Sequence, residues 1–136
     1  MRVYYDSSAL LKRYLNEPES EFVLEHLREP DTKLASPLIL VELSSVFRRL
    51  RNGRKISARE HARLNELARQ ELRSFGLQSS SEELFRQAAV VADLTGLKSL
   101  DAIHLASARM AGADLVLTFD REMALAAKKI GLKTAP

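Results

Sequence analysis

A chain of 136 residues with 46% hydrophobic and 29% charged residues has the length and balance of one soluble globular domain, expected to span residues 1–136. It has no cysteine, which excludes a disulfide scaffold and thiolate metal sites. No apolar run follows a basic N-terminus and no window reaches the roughly 18 apolar residues of a membrane span, so a cytoplasmic chain without a signal peptide is expected.

Arg2-Val3-Tyr4-Tyr5-Asp6 reads as a short β-strand running into a carboxylate. Ser7 or Ser8 is the expected cap of a helix to about residue 15, which Asn16-Glu17-Pro18 breaks before a second helix over 19–28. A turn at Pro30-Asp31 leads to a strand at Lys33-Leu34-Ala35. Ser36-Pro37 then opens a helix over 37–51, with Ile39, Leu43, Val46, Phe47 and Leu50 at helical spacing and Asn52-Gly53 as its C-cap. Ser57-x-x-Glu60 is a capping box before a helix to about residue 73, and a weak strand signal follows at 75–78. A second such box, Ser80-x-x-Glu83, opens a helix closed by Gly96. Ser99 is the expected cap of a helix over 100–111, ended by Gly112. Leu115-Val116-Leu117-Thr118 has the continuous apolar character of a strand buried on both faces. A helix over 121–130, closed by Gly131, precedes a last strand at 132–134.

Strands alternating with helices predict an α/β chain with a short, mostly parallel sheet and helices on both faces. In such sheets ligands bind at the carboxyl ends of the strands. Asp6 and Asp120 each follow an apolar strand and precede a helix, so both are expected at that edge, although helix capping alone accounts for either one. Glu42 lies on an apolar helical stripe beside Leu38, Ile39, Ser45 and Val46. A carboxylate there is costly unless it is paired or metal-bound, the competing reading being an ion pair with Arg48 or Arg49. Asp101 opens an apolar helix, a position that the helix dipole also favours.

Four carboxylates without cysteine or a paired histidine motif favour a hard, oxygen-binding ion, Mg²⁺ or Mn²⁺ rather than Zn²⁺. Sites of this kind cut phosphodiesters by activating water and stabilising the leaving oxygen. Ser8 and Thr118 are candidates to orient the acids, with capping or packing as the plainer reading. His104 reaches the same region, but a lone histidine on an apolar helix reads first as a hydrogen-bonded core residue. The net charge is +3, and leaving out the four acids sets 21 basic residues against 14 acidic ones. That basic body suits a polyanionic substrate, with Lys12, Arg13, Arg48, Arg49, Arg51 and Arg54 as candidate contacts, as well as it suits a solvated surface.

Asp6-Ser7-Ser8-Ala9-Leu10, the helical Glu42, Leu100-Asp101-Ala102-Ile103-His104-Leu105-Ala106 and Thr118-Phe119-Asp120, taken together, resemble the PIN-domain ribonucleases. Among these the chain looks most like the VapC-type toxins of type II toxin–antitoxin systems. The resemblance covers the whole chain and implies a three-layer α/β/α PIN-like fold. It carries the family's four site acids onto Asp6, Glu42, Asp101 and Asp120, as catalytic and metal-holding residues, with Ser8 and Thr118 in support. It further implies Mg²⁺ or Mn²⁺, an RNA substrate cut to 5′-phosphate and 3′-hydroxyl ends, a homodimer, and a cognate antitoxin whose C-terminal segment covers the site. One departure is local: many members carry Asn-Asp or an extra acid at the last aspartate. Here Phe119 precedes it and Arg121-Glu122 follow, leaving Glu122 open as a fifth ligand.

Other readings fit less well. A HAD-like phosphatase needs an acid two residues after the first aspartate, where Ser8 stands. A response-regulator receiver needs paired acids at the first strand end and a lysine after the last, and Thr118-Phe119-Asp120 supplies none. An RNA-processing nuclease without a toxin role, or an inactive PIN-like binding module, stays open within the resemblance. The apolar side of the first helices (Leu11, Tyr14, Leu15 and Phe22) is a candidate protein-binding groove.

Overall fold

The structure, a computed structural model, describes residues 1–28 and 31–136. The elements in chain order are β1 (Arg2–Tyr5), α1 (Ser7–Tyr14), α2 (Ser20–Arg28), β2 (Thr32–Ala35), α3 (Leu38–Asn52), α4 (Ala58–Leu72), β3 (Gly76–Leu77), α5 (Glu82–Thr95), α6 (Ser99–Met110), β4 (Leu115–Leu117), α7 (Arg121–Lys129) and β5 (Thr134–Ala135). The expected turn at Pro30-Asp31 lies partly outside the described residues.

All strand pairings are parallel, in the order β3-β2-β1-β4-β5. β1 sits in the centre, with Tyr4 opposite Leu34 on one side and Val116 on the other. The two-residue period of a strand sends neighbouring side chains into different cores. Val3, Tyr5, Ala35 and Leu117 pack with α1–α4, against Leu10, Val23, Ile39, Leu43, Phe47, Leu64 and Leu72. Tyr4, Leu34 and Val116 pack with α5–α7, against Leu84, Val91, Leu105, Ala106 and Met123. The three-layer α/β/α arrangement follows, with a wholly parallel sheet. Because the strands are parallel, the first residues after β1, β2 and β4 emerge on one edge.

Several element ends differ from expectation for local reasons. Asp6 itself, not Ser7 or Ser8, caps α1, its side chain accepting the Ala9 amide. Ser81 rather than Ser80 caps α5, accepting the Leu84 amide. Ser99 lies inside α6, whose N-cap Lys98 makes no side-chain cap bond. Ser57 caps α4, but the Glu60 carboxylate turns outward to Arg63, so that box is half formed. At the end of α3, Gly53 has φ −79°, and the left-handed residue is Arg54 at φ +56°. β5 forms at Thr134–Ala135, starting two residues beyond the apolar Leu132, where it pairs with Val116 and Leu117.

The proposed groove on the first helices is largely core. Tyr14 is buried and meets Phe47 edge-on at 5.8 Å, while Leu11, Leu15 and Phe22 are half-buried against the same cluster. Among the described residues, no helix is long and apolar enough to cross a membrane.

Candidate active site

The strand-end edge gathers the acids that the sequence singles out. Asp6 leaves β1 directly beside Thr118, which leaves β4, and the Asp6 amide donates to the Leu117 carbonyl at 3.3 Å. The Asp6 side chain is buried and fully engaged. Oδ1 accepts from Ser8 Oγ at 2.7 Å and from the Ala9 amide at 2.9 Å, and Oδ2 accepts from Thr118 Oγ1 at 2.5 Å. Both hydroxyls also accept from the β4–α7 loop: Ser8 Oγ takes the Phe119 amide at 2.9 Å and Thr118 Oγ1 takes the Asp120 amide at 3.1 Å. Ser8 and Thr118 therefore tie the two acid-bearing strand ends together. Asp120 caps α7 through Oδ1 and the Met123 amide, at 3.0 Å. Capping and membership of the acidic group coexist in both aspartates.

Glu42 reaches the group from the second turn of α3, half-buried. Its partner is neither Arg48 nor Arg49. His104 Nε2 lies 2.5 Å from Oε1, and Ser7 Oγ donates to Oε2 at 3.1 Å. His104 is fully buried, and its Nδ1 lies 2.8 Å from the Tyr4 hydroxyl. A carboxylate can only accept, so Nε2 carries the hydrogen that faces Glu42, and in the neutral ring Tyr4 then donates to Nδ1. Burial, and next the Asp6 carboxylate, push the Tyr4 phenol well above its ordinary range and hold it as a hydroxyl. The core reading of His104 is correct, and the same residue also meets the acidic group. The sequence marks Tyr4 only as a strand residue and Ser7 only as a candidate helix cap. A signal existed for Tyr4: a polar residue buried in α6 needs a partner, and Tyr4 is the strand residue whose hydroxyl falls on that face.

Asp101 stands at the head of α6, half-buried, and its carboxylate accepts no hydrogen bond among the described residues. Burial raises its proton affinity first, and the Asp120 carboxylate raises it next. Asp6 and Glu42 add to that rise while His104 opposes it. Asp6 is likewise raised by burial, against the stabilising bonds from Thr118, Ser8 and the Ala9 amide. Four carboxylates thus share one electrostatic neighbourhood, and among the described residues no Lys or Arg forms an ion pair with Asp6, Asp101 or Asp120. Glu122 does not join them; it is exposed and lines a surface cleft with Thr95, Gly96, Leu97 and Lys129.

The donor set suits a hard divalent ion in kind: oxygen only, with carboxylate lone pairs to spare and a local excess of negative charge. Asp120, Asp6 and Glu42 act on Asp101 through their charge and do not close with it on a common point. Among the described residues, no group of three or more acids and histidines stands at a spacing that would hold an ion.

Comparison with known proteins agrees with this architecture. The PIN domain family model matches residues 3–129. Ribonuclease VapC46 of Mycobacterium tuberculosis is 32% identical over 96% of this chain and 93% of its own length. Among solved structures, a toxin–antitoxin complex from Klebsiella pneumoniae superposes with a TM-score of 0.71 at 16% identity, covering 98% of this chain and 96% of the other. Mycobacterium tuberculosis VapC20, described as a sarcin–ricin loop cleaving toxin, gives 0.68 at 17% identity over 91% and 94%. The chain therefore belongs to the PIN-domain family, on its VapC-type side.

Proposed function

We propose that this chain is a metal-dependent endoribonuclease and the toxin of a toxin–antitoxin pair, acting as one PIN domain over residues 1–136. The observation that carries the reading is the joining of the Asp6 and Asp120 strand ends through Thr118, with the charges of Asp120, Asp6 and Glu42 acting on Asp101 and no Lys or Arg pairing with Asp6, Asp101 or Asp120 among the described residues. Asp6, Glu42, Asp101 and Asp120 would hold a divalent ion, Mg²⁺ or Mn²⁺ on an all-oxygen donor set, and the bound ion would supply activation of the attacking water and charge stabilisation on the leaving oxygen. The chain's own part is orientation. Thr118 and Ser8 hold both oxygens of Asp6, and Ser7 with His104 holds both oxygens of Glu42. Asp120 is fixed through one oxygen. Asp101 accepts no such bond among the described residues, so its oxygens are open to an ion.

RNA fits the basic body of the chain and the activity of VapC46, a ribonuclease. An antitoxin partner fits the toxin–antitoxin complexes among its structural neighbours. A second copy of the chain is the further proposed partner, for which the apolar cleft lined by Phe85, Ala89, Ala92 and Ile103 between α5 and α6 offers a surface. Such a nuclease works in the cytoplasm, where its RNA is.

The deciding experiment is cleavage of labelled RNA by the purified chain with Mn²⁺. The wild type cleaves, Asp101→Asn does not, and both give the same circular dichroism spectrum. Full cleavage by a folded Asp101→Asn protein overturns the assignment.

A further inference from the structure

From Leu43 to Arg59 the chain carries six basic residues (Arg48, Arg49, Arg51, Arg54, Lys55 and Arg59) and no acidic one. Helices α2 and α4–α7 carry both signs, as in α5, where Arg86 pairs with both Glu82 and Glu83. Solvated helical faces ordinarily mix charge, so this run has another use.

A cavity of about 570 Å³ opens between α3 and α4, lined by Ser44, Arg48, His61, Ala62, Asn65 and Arg69. Each polar lining residue has a hydrogen-bond donor, and none is acidic. Asn65 Nδ2 approaches His61 Nε2 at 3.1 Å, an arrangement that puts the imidazole hydrogen on Nδ1. Arg48 pairs with no carboxylate among the described residues. Arg69 pairs with Glu66 at 3.0 Å, but both side chains are more than half exposed, at 65% and 54%, and such a pair is readily exchanged.

The cleft connects to the acidic site around α3. At about 100° per residue, Arg49 lies roughly 20° from Glu42, with Ser45, Val41, Arg48 and Ser44 following in turn around the helix. These five residues are exposed, so one surface stripe runs from beside Glu42 to the cleft.

We propose that the α3–α4 cleft is a phosphate-binding subsite, in which Arg48 and Arg69 grip the RNA backbone a few nucleotides from the scissile bond. The subsite rests on the RNA-cleaving reading above. Phosphate oxygens are pure acceptors and match a lining of guanidinium, imidazole and hydroxyl donors, with Asn65 spent on holding His61. An acidic protein segment is the competing occupant. The RNA is favoured because the stripe is continuous with the proposed cutting site.

The test uses the full chain, labelled single-stranded RNA of about 20 nucleotides, and a polyglutamate peptide as the protein-like probe. Affinities are read by anisotropy without metal between 50 and 200 mM salt, for wild type, Arg48→Ala/Arg69→Ala and the remote control Arg86→Ala. Cleavage of the long RNA and of a tetranucleotide is read with Mn²⁺. The subsite predicts about tenfold weaker RNA binding for the double variant and a salt slope shallower by about 1.4, near 0.7 per lost phosphate contact on a single strand. It also predicts that cleavage of the long RNA falls by a larger factor than cleavage of the tetranucleotide, at an unchanged melting temperature. RNA affinity and slope equal to those of Arg86→Ala overturn it. Loss of polyglutamate binding with RNA binding intact overturns it in favour of a protein occupant. A wild type that neither binds nor cleaves RNA fails the functional reading itself, a result separate from any difference between variants.

Discussion

His104 Nε2 stands 2.5 Å from Glu42 Oε1, so a buried imidazole on α6 holds a carboxylate on α3 across the sheet edge. Tyr4 on β1 completes the line at Nδ1, at 2.8 Å. Three elements far apart in sequence thereby determine where one acid points. The first prediction follows. His104→Gln keeps an N–H near the Nε2 position and should retain Mn²⁺ affinity within a fewfold. His104→Ala removes it, opens a cavity in a fully buried position, and should cost about 2–4 kcal/mol of stability, as large-to-small core changes do. Calorimetric Mn²⁺ titration separates the roles. Equal loss of Mn²⁺ affinity in both variants, with Gln fully stable, shows that the donor does not position Glu42.

A second prediction concerns pH in the metal-free protein. Asp6 and Asp101 are both raised, first by burial. The folded state thus holds their protons more tightly than the unfolded chain. Their favourable contribution is complete below the ordinary Asp value of about 4 and is lost as pH rises through the raised values. Exposed acids act in the opposite sense, Glu19 being lowered by its hydrogen bond from Lys12 and Glu66 by those from Gln70 and then Arg69, so the comparison is between variant and wild type. The difference in melting temperature between Asp101→Asn and wild type should become more positive from pH 4 to pH 8, and saturating Mn²⁺ should raise the wild type at pH 7 but not at pH 4. A difference that is flat across this window shows that crowding costs the folded chain nothing.

The third prediction lies at the α3–α4 turn, where Arg54 holds φ +56°. The Lys55 amide closes onto the Leu50 carbonyl at 2.8 Å and the Arg54 amide onto Arg51 at 3.0 Å, so the left-handed residue terminates α3. A side chain there costs roughly 1 kcal/mol, and Arg54→Gly should stabilise the protein by about 0.5–1 kcal/mol in urea unfolding. Destabilisation would mean that the arginine makes contacts that outweigh the strain.

These cases show what the sequence makes legible. β1, β4 and the acids behind them stand out because apolar runs and following helices are local patterns, and the α/β class follows from their alternation. Helix starts slip by one residue wherever several capping residues adjoin, as at Asp6-Ser7-Ser8 and Ser79-Ser80-Ser81, since neighbouring oxygens compete for the same amides. The Asn52-Gly53 pair points to the turn but not to its left-handed residue, because the ring closure from Lys55 to Leu50 selects position 54. The Glu42–His104–Tyr4 line depends on the packing of α3, α6 and β1, over 100 residues of separation, and no periodicity encodes it. Glu122 looks equivalent to Asp120 on paper, and the turn of α7 carries it to another face.

The last prediction isolates Thr118. Its hydroxyl donates to Asp6 Oδ2 at 2.5 Å and accepts the Asp120 amide at 3.1 Å, so one buried oxygen couples two of the four acids. Thr118→Val keeps the shape and removes both bonds, leaving a buried carboxylate oxygen and an amide short of partners, at about 1–3 kcal/mol. Because the bond from Thr118 favours the ionised form of Asp6, its removal should raise the Asp6 proton affinity further. Mn²⁺ affinity should then fall more steeply on acidification in Thr118→Val than in wild type. Thr118→Ser restores the oxygen and should recover both stability and the wild-type pH profile. If the serine variant behaves like valine, the methyl group rather than the hydroxyl is what the strand end needs, and the coupling of Asp6 to Asp120 through this oxygen is wrong.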